Sequence, residues 1–118
     1  EPMIVGIGID IIELERVRDI LKRQPKFVDR ILTEDEKEFY LSLGENRKIE
    51  WLAGRFSAKE AFSKANGSGI GGKLSFHDIS IIPDKNGKPI IKHPLEVKAH
   101  LSITHTKQYA AAQVLLEK

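Results

Sequence analysis

The sequence runs to 118 residues, with 41% hydrophobic residues, 19 Lys and Arg against 17 Asp and Glu, and no cysteine. These values fit one soluble globular domain with its own core and exclude a disulfide framework, a thiolate metal site and a cysteine nucleophile. The net charge of +2 is too mild to argue for nucleic acid on its own. No apolar run approaches the roughly 18 residues needed to span a bilayer. The start lacks the basic and apolar regions of a secretory signal. Met3 reads as the natural start, Glu1 and Pro2 as residues added ahead of it, and a cytoplasmic setting is expected.

In chain order, Met3 to Ile9 reads as a strand, and Gly6 and Gly8 within it suggest close backbone approach or a bend. The spacing predicts a helix over 12–23, with an apolar stripe of Leu14, Val17 and Leu21, ended by Pro25. A short helical piece is expected at 27–32. Thr33 and Glu36 form a capping-box pattern that opens a helix to about Leu43, stopped by Gly44. A long helix is predicted from about Asn46 to Ala65, with Asn66-Gly67 as its stop. A glycine-rich loop follows at 68–74. Strands are expected at 78–82 and 89–92, joined by the turn Asp84-Lys85-Asn86-Gly87, then a short helix at 94–99 and strands at 99–104 and 109–116. This order predicts an α+β fold, a single small domain spanning 1–118 in which an antiparallel sheet packs on a long central helix.

At about 100° per residue, Glu60 shares a face of the long helix with Ala53, Phe56, Ser57 and Lys64. Trp51, Ala58, Phe62 and Ala65 lie opposite, and Lys48, Arg55, Lys59 and Asn66 make a polar strip. Glu60 and Lys64 read either as an ordinary i,i+4 ion pair or, given the apolar company of the carboxylate, as part of a metal site. Asp10 reads as the end of the first strand, either a metal ligand at an open mouth or the N-cap of the next helix. The G-x-G before it is not a dinucleotide fingerprint, because the third glycine is absent and no βαβ unit follows. Gly67, Gly72 and Lys73 approach a P-loop, but Leu74 stands where Ser or Thr must be, and the segment follows a helix. The four histidines lack zinc-ligand spacing. His105, in the turn Ser102-Ile103-Thr104-His105-Thr106, reads as a half-exposed turn residue or a phosphate contact.

Three segments together resemble a known family. They are Gly6-Ile7-Gly8-Ile9-Asp10, the run Phe56-Ser57-Ala58-Lys59-Glu60-Ala61-Phe62-Ser63-Lys64, which matches F-x-x-K-E-A-x-x-K, and Ser102-Ile103-Thr104-His105. Their order and spacing resemble the short bacterial 4′-phosphopantetheinyl transferases, the holo-[acyl-carrier-protein] synthases, from Met3 to the C-terminus. The resemblance implies transfer of the phosphopantetheine arm of coenzyme A to a serine of an apo acyl carrier protein, in support of fatty acid synthesis. It implies Mg²⁺ held by Asp10 and Glu60, and trimers with active sites at subunit interfaces. It puts Glu60 and Lys64 in catalysis, with Lys64 near the α-phosphate. Candidate coenzyme contacts are Arg55, Lys59, Lys64, Gly67, Gly87, Lys88, Pro89 and His105.

The carrier is acidic, and the first helix offers a docking face in Arg16, Ile20 and Arg23, opposite its core stripe. Two other classes compete. A non-catalytic basic module for nucleic acid would use the clustered Arg16, Arg18, Lys22, Arg23, Lys26 and Arg30, but the paired carboxylates oppose it. A magnesium-dependent phosphate-ester hydrolase would place water where the carrier serine attacks. Neither a nucleic acid nor a membrane is expected as a partner.

Overall fold

The computed structural model describes residues 3–71 and 73–118. The reading of Glu1 and Pro2, and Gly72 of the segment that approaches a P-loop, lie outside the described residues. The elements are β1 (Ile4–Glu13), α1 (Leu14–Arg23), α2 (Phe27–Ile31), α3 (Glu34–Leu41), α4 (Glu45–Asn66), a 3₁₀ turn (Phe76–Asp78), β2 (Ser80–Pro83), β3 (Pro89–Lys92), β4 (Lys98–His105) and β5 (Tyr109–Glu117).

Local chemistry sets the helix ends. Thr33 Oγ1 accepts from the Glu36 amide, and the Glu36 carboxylate accepts from the Thr33 amide at 2.9 Å, the reciprocal capping box. Gly67, at φ +82°, closes α4 in the left-handed conformation that glycine adopts without a Cβ clash. No helix forms at 94–97, which is a run of bends leading into β4. The expected helix there is corrected: with Pro94 at its start and Lys98 already in the sheet, too few residues remain for a hydrogen-bonded turn to propagate.

The strands make two antiparallel sheets rather than one. The larger has the order β1-β5-β4, and β2 pairs only with β3. β1 is longer than expected. It runs through Asp10, which pairs with Ala112, on to Glu13, which pairs with Tyr109. Asp10 is therefore neither the strand's end nor a helix cap. The N-cap position of α1 is Glu13, whose side chain makes no capping bond. The period of two explains the extension: Gly8, Asp10 and Ile12 turn toward the interior while Ile7, Ile9 and Ile11 stay about 60–65% exposed.

α4 lies across the larger sheet, and the two glycines of β1 let it do so. A Cβ at Gly6 would stand 2.0 Å from the Ala65 carbonyl oxygen, and one at Gly8 the same distance from that of Ala61. Two apolar clusters result. One gathers Leu14, Val17, Phe27, Ile31, Trp51 and Leu52 under the three short helices. The other joins Ala58, Ala61, Phe62, Ile79, Ile81, Val114 and Leu116 between α4, the sheet and the hairpin.

Candidate active site

The close approach of β1 to α4 has a chemical consequence. Asp10 shares the inner face of β1 with Gly6 and Gly8, so it arrives beside the second half of α4. Lys64 Nζ donates to Asp10 Oδ1 at 3.0 Å and to the Ile9 carbonyl at 3.1 Å. Asp10 keeps 14% of its side-chain surface and Lys64 53%, so the group is open to solvent on one side. Glu60, one turn before Lys64, is partly buried. Burial and the neighbouring Asp10 charge push its carboxyl above the usual range, and Lys64 opposes this. The structure thus gathers Asp10, Glu60 and Lys64.

Glu60 accordingly costs the fold stability when ionised. A carboxyl with a raised folded-state pKa stabilises below its unfolded value of about 4.5 and loses that contribution as pH rises through the folded value. Glu60→Gln should therefore raise the melting temperature at pH 7, a gain that shrinks as pH falls toward 4. Thermal melts across that range check it, and a lower melting temperature at pH 7 would contradict it.

A second feature is a cleft of about 480 Å³ lined by residues that include Arg47, Trp51, Arg55, Lys85, Gly87, Pro89 and His105. The Arg55 guanidinium lies 3.8 Å above the Trp51 ring, and its Nε donates to the Ile81 carbonyl at 3.2 Å. Burial lowers its pKa to about 10, against the Glu36 charge, so it stays cationic at neutral pH. His105 Nε2 lies 3.4 Å from Glu50 Oε2. Arg55, Gly87, Pro89 and His105 thus share one cleft. Gly67 does not line it, and Lys88 faces a second groove with Pro89, Lys98 and His100.

Lys59 is the clear departure. Its ammonium is fully buried and donates to Glu36 Oε1 at 2.6 Å, the Ile31 carbonyl at 2.7 Å and the Phe76 carbonyl at 3.1 Å. With all three protons used, it has none for a coenzyme phosphate, and that assignment is withdrawn. Arg55 and Lys59 are buried, so the middle of the polar strip expected on α4 is interior, while Asn66 at its end is exposed. Ile20 is also corrected: it is half-buried against the core beside Leu21, while Arg16 and Arg23 stay exposed. Arg18 pairs with Glu15 at 3.4 Å.

The cleft residues Arg47, Trp51 and Lys85 were missed in the sequence. Arg47, Trp51 and Arg55 recur every four residues, which puts them in one row on α4 and was readable. Lys85 depends on where the hairpin docks and was not. Among the described residues no three His, Cys, Asp or Glu side chains cluster as a ready metal cage.

A chain that sets a carboxylate pair and a lysine on a strand–helix crossing, with a separate basic cleft, matches a known class. It belongs to the 4′-phosphopantetheinyl transferase superfamily, whose family model matches residues 6–114. More narrowly, it is similar over its length to curated holo-[acyl-carrier-protein] synthases. That of Bacillus subtilis (strain 168) is 57% identical and that of Geobacillus sp. (strain WCH70) 54%, each match covering 98% of both chains. Among solved structures, the holo-(acyl-carrier-protein) synthase of Bacillus anthracis str. Ames in complex with CoA (3′,5′-ADP) superposes with a TM-score of 0.93 at 54% identity, covering 98% of this chain and 97% of that one. The Helicobacter pylori enzyme in complex with coenzyme A gives 0.82 at 35% identity, covering 93% and 98%.

Proposed function

We propose that the protein transfers the 4′-phosphopantetheine group of coenzyme A to a serine of an apo acyl carrier protein, releasing adenosine 3′,5′-bisphosphate. The carrying observation is the gathering of Asp10, Glu60 and Lys64 at one crossing, in a chain so similar to holo-[acyl-carrier-protein] synthases. Asp10 and Glu60 would hold Mg²⁺. Two hard, partly exposed carboxylates suit an ion that keeps its remaining positions for water and phosphate, and when bound it supplies charge neutralisation at the pyrophosphate.

The chain's own groups do the rest. Lys64 neutralises the leaving phosphate and can give it a proton. Arg55 and His105 meet the nucleotide phosphates, and Arg47 and Lys85 add to the positive lining. Gly87 and Pro89 shape the wall against the nucleotide. Gly67 and Lys88, which lie outside the cleft, are assigned to the coenzyme on the family resemblance alone. Mass spectrometry of apo carrier incubated with coenzyme A, Mg²⁺ and the protein should show the gain of one phosphopantetheine. An unmodified carrier, or hydrolysis of coenzyme A alone, would overturn the reading.

The assembly belongs to the same proposal. None of Asp10, Glu60 and Lys64 lines the cleft. The outer face of β1 exposes Val5, Ile7, Ile9 and Ile11 in a row on an unpaired sheet edge. Such an apolar edge is the kind that proteins cover. A homotrimer in which a neighbouring copy seats against β1 would bring its cleft to these carboxylates. A chain with no cysteine has no disulfide to tie it to an oxidising compartment, and a cytoplasmic setting completes the reading. Among the described residues no helix is long and apolar enough to cross a membrane.

Carrier docking is assigned to α1, with Ile20 supplying only a half-covered apolar centre between Arg16 and Arg23. Arg16→Glu with Arg23→Glu should raise the KM for the carrier about tenfold or more while leaving coenzyme A binding near the parent. The parent should also lose carrier affinity as salt rises, and the double variant much less. Carrier kinetics at two ionic strengths check both. An unchanged KM and salt slope would move the docking face elsewhere.

A further inference from the structure

The buried Glu36–Lys59 pair is not used by the proposed chemistry, yet it touches the element that walls the cleft. Glu36 is fully buried at the start of α3. One carboxylate oxygen receives Lys59 and the Thr33 amide. The other receives the Ile81 amide of β2 at 2.7 Å. The Ile81 carbonyl receives Arg55 Nε, and Ser80 Oγ lies 2.9 Å from Thr33 Oγ1. Ile81 pairs with Ile91 of β3, but its own N–H and C=O turn outward to an acid on α3 and a base on α4. The outer edge of β2 is thus closed by side chains.

The hairpin beyond this anchor is internally tied. The Asp84 amide donates to the Lys88 carbonyl at 2.8 Å and the Gly87 amide to the Asp84 carbonyl at 2.9 Å. Asp84 Oδ1 receives the amides of Asn86 and Lys88 at 2.8 and 2.9 Å. A turn so braced moves as a unit with its strands. The place of Pro83, Asp84, Lys85, Gly87 and Pro89 in the cleft wall is then set by where β2 is fastened. The geometry points to Glu36 as a positioning residue for the coenzyme: with its charge balanced by Lys59, it fastens the β2–β3 hairpin to the helices and holds the cleft wall in place. This inference rests on coenzyme A being the ligand of the cleft.

The test separates positioning from core stability. Removing one partner alone strands a buried charge, whereas replacing both together is tolerated far better. Two double variants are therefore compared. Glu36→Gln with Lys59→Met keeps a side-chain oxygen for the Ile81 amide, and Glu36→Leu with Lys59→Met removes it. Calorimetric titration with coenzyme A should give the first a Kd close to the parent and the second a Kd about tenfold weaker. The KM for the carrier and kcat at saturating coenzyme A should be unchanged in both. A role confined to core stability predicts equal coenzyme affinity in the two, and that result overturns the inference. Should the leucine variant not fold, Glu36→Asp decides. It keeps the charge for Lys59 but withdraws the carboxylate from Ile81 by one methylene, so parent-like affinity there is equally fatal. A parent that binds no coenzyme A at all refutes the reading of the cleft instead.

Discussion

Asp10→Ala and Glu60→Ala are each expected to lower phosphopantetheine transfer on the order of 10³-fold while leaving the protein folded. The two carboxylates come from different elements, one on β1 and one on α4, and no third acidic, histidine or cysteine side chain clusters with them among the described residues. The proposed Mg²⁺, held through so few protein groups, could not spare one. The fold, by contrast, loses little. Lys64, the partner of Asp10, is half exposed, and such pairs contribute little to stability. Removing Glu60 relieves a partly buried charge. Rates at saturating and limiting magnesium, beside thermal melts, check both halves. Near-parent transfer by either variant at limiting magnesium would remove that residue from the site.

Gly8→Ala is expected to be severely damaging for a single added methyl. Its Cβ would lie 2.0 Å from the Ala61 carbonyl oxygen and 2.8 Å from the Ala65 amide nitrogen. Both are helix backbone, which cannot rotate aside as a side chain can. The added methyl must lever α4 away from β1, loosening the second apolar cluster and carrying Glu60 and Lys64 from Asp10. A stability loss of about 3 kcal/mol or more follows from forced overpacking, and transfer should fall further than the loss of folded protein explains. Gly44→Ala is the control, since nothing lies within 4 Å of its Cβ position. A melting temperature for Gly8→Ala equal to that of this control would show that the strand and helix are not in the contact described.

Much of this was readable in the residues. Thr33 and Glu36 announce α3, Gly67 announces the end of α4, and the glycines of β1 signal close approach because little else needs them there. Asp10, Glu60 and Lys64 were picked out in the sequence, and the structure brings them together. The misreadings of α4 and of the end of β1 share one cause. Lys59 and Arg55 looked like surface cations because helical periodicity knows nothing of what packs on each side. α4 is covered by the sheet, the hairpin and the short helices at once, so its charged residues needed buried partners from α3 and β2 that no local pattern names. The end of β1 was misplaced for the same reason. Ile11 and Ile12 suit a helix or a strand, and the pairing with Ala111 and Ala110, about a hundred residues on, decides between them.

That pairing also orders events in time. β1 is held in its sheet by β5 alone, the first described strand by the last. During synthesis Asp10 precedes its strand partner by about a hundred residues, and until Tyr109–Glu117 has been made only α4 is at hand to support β1. A nascent chain that has not reached Tyr109 therefore carries its isoleucine-rich strand without its sheet partner. Closing a loop of about a hundred residues is entropically slow. The strand that carries Asp10 is thus fully secured only once both of its supports, α4 and β5, are in place.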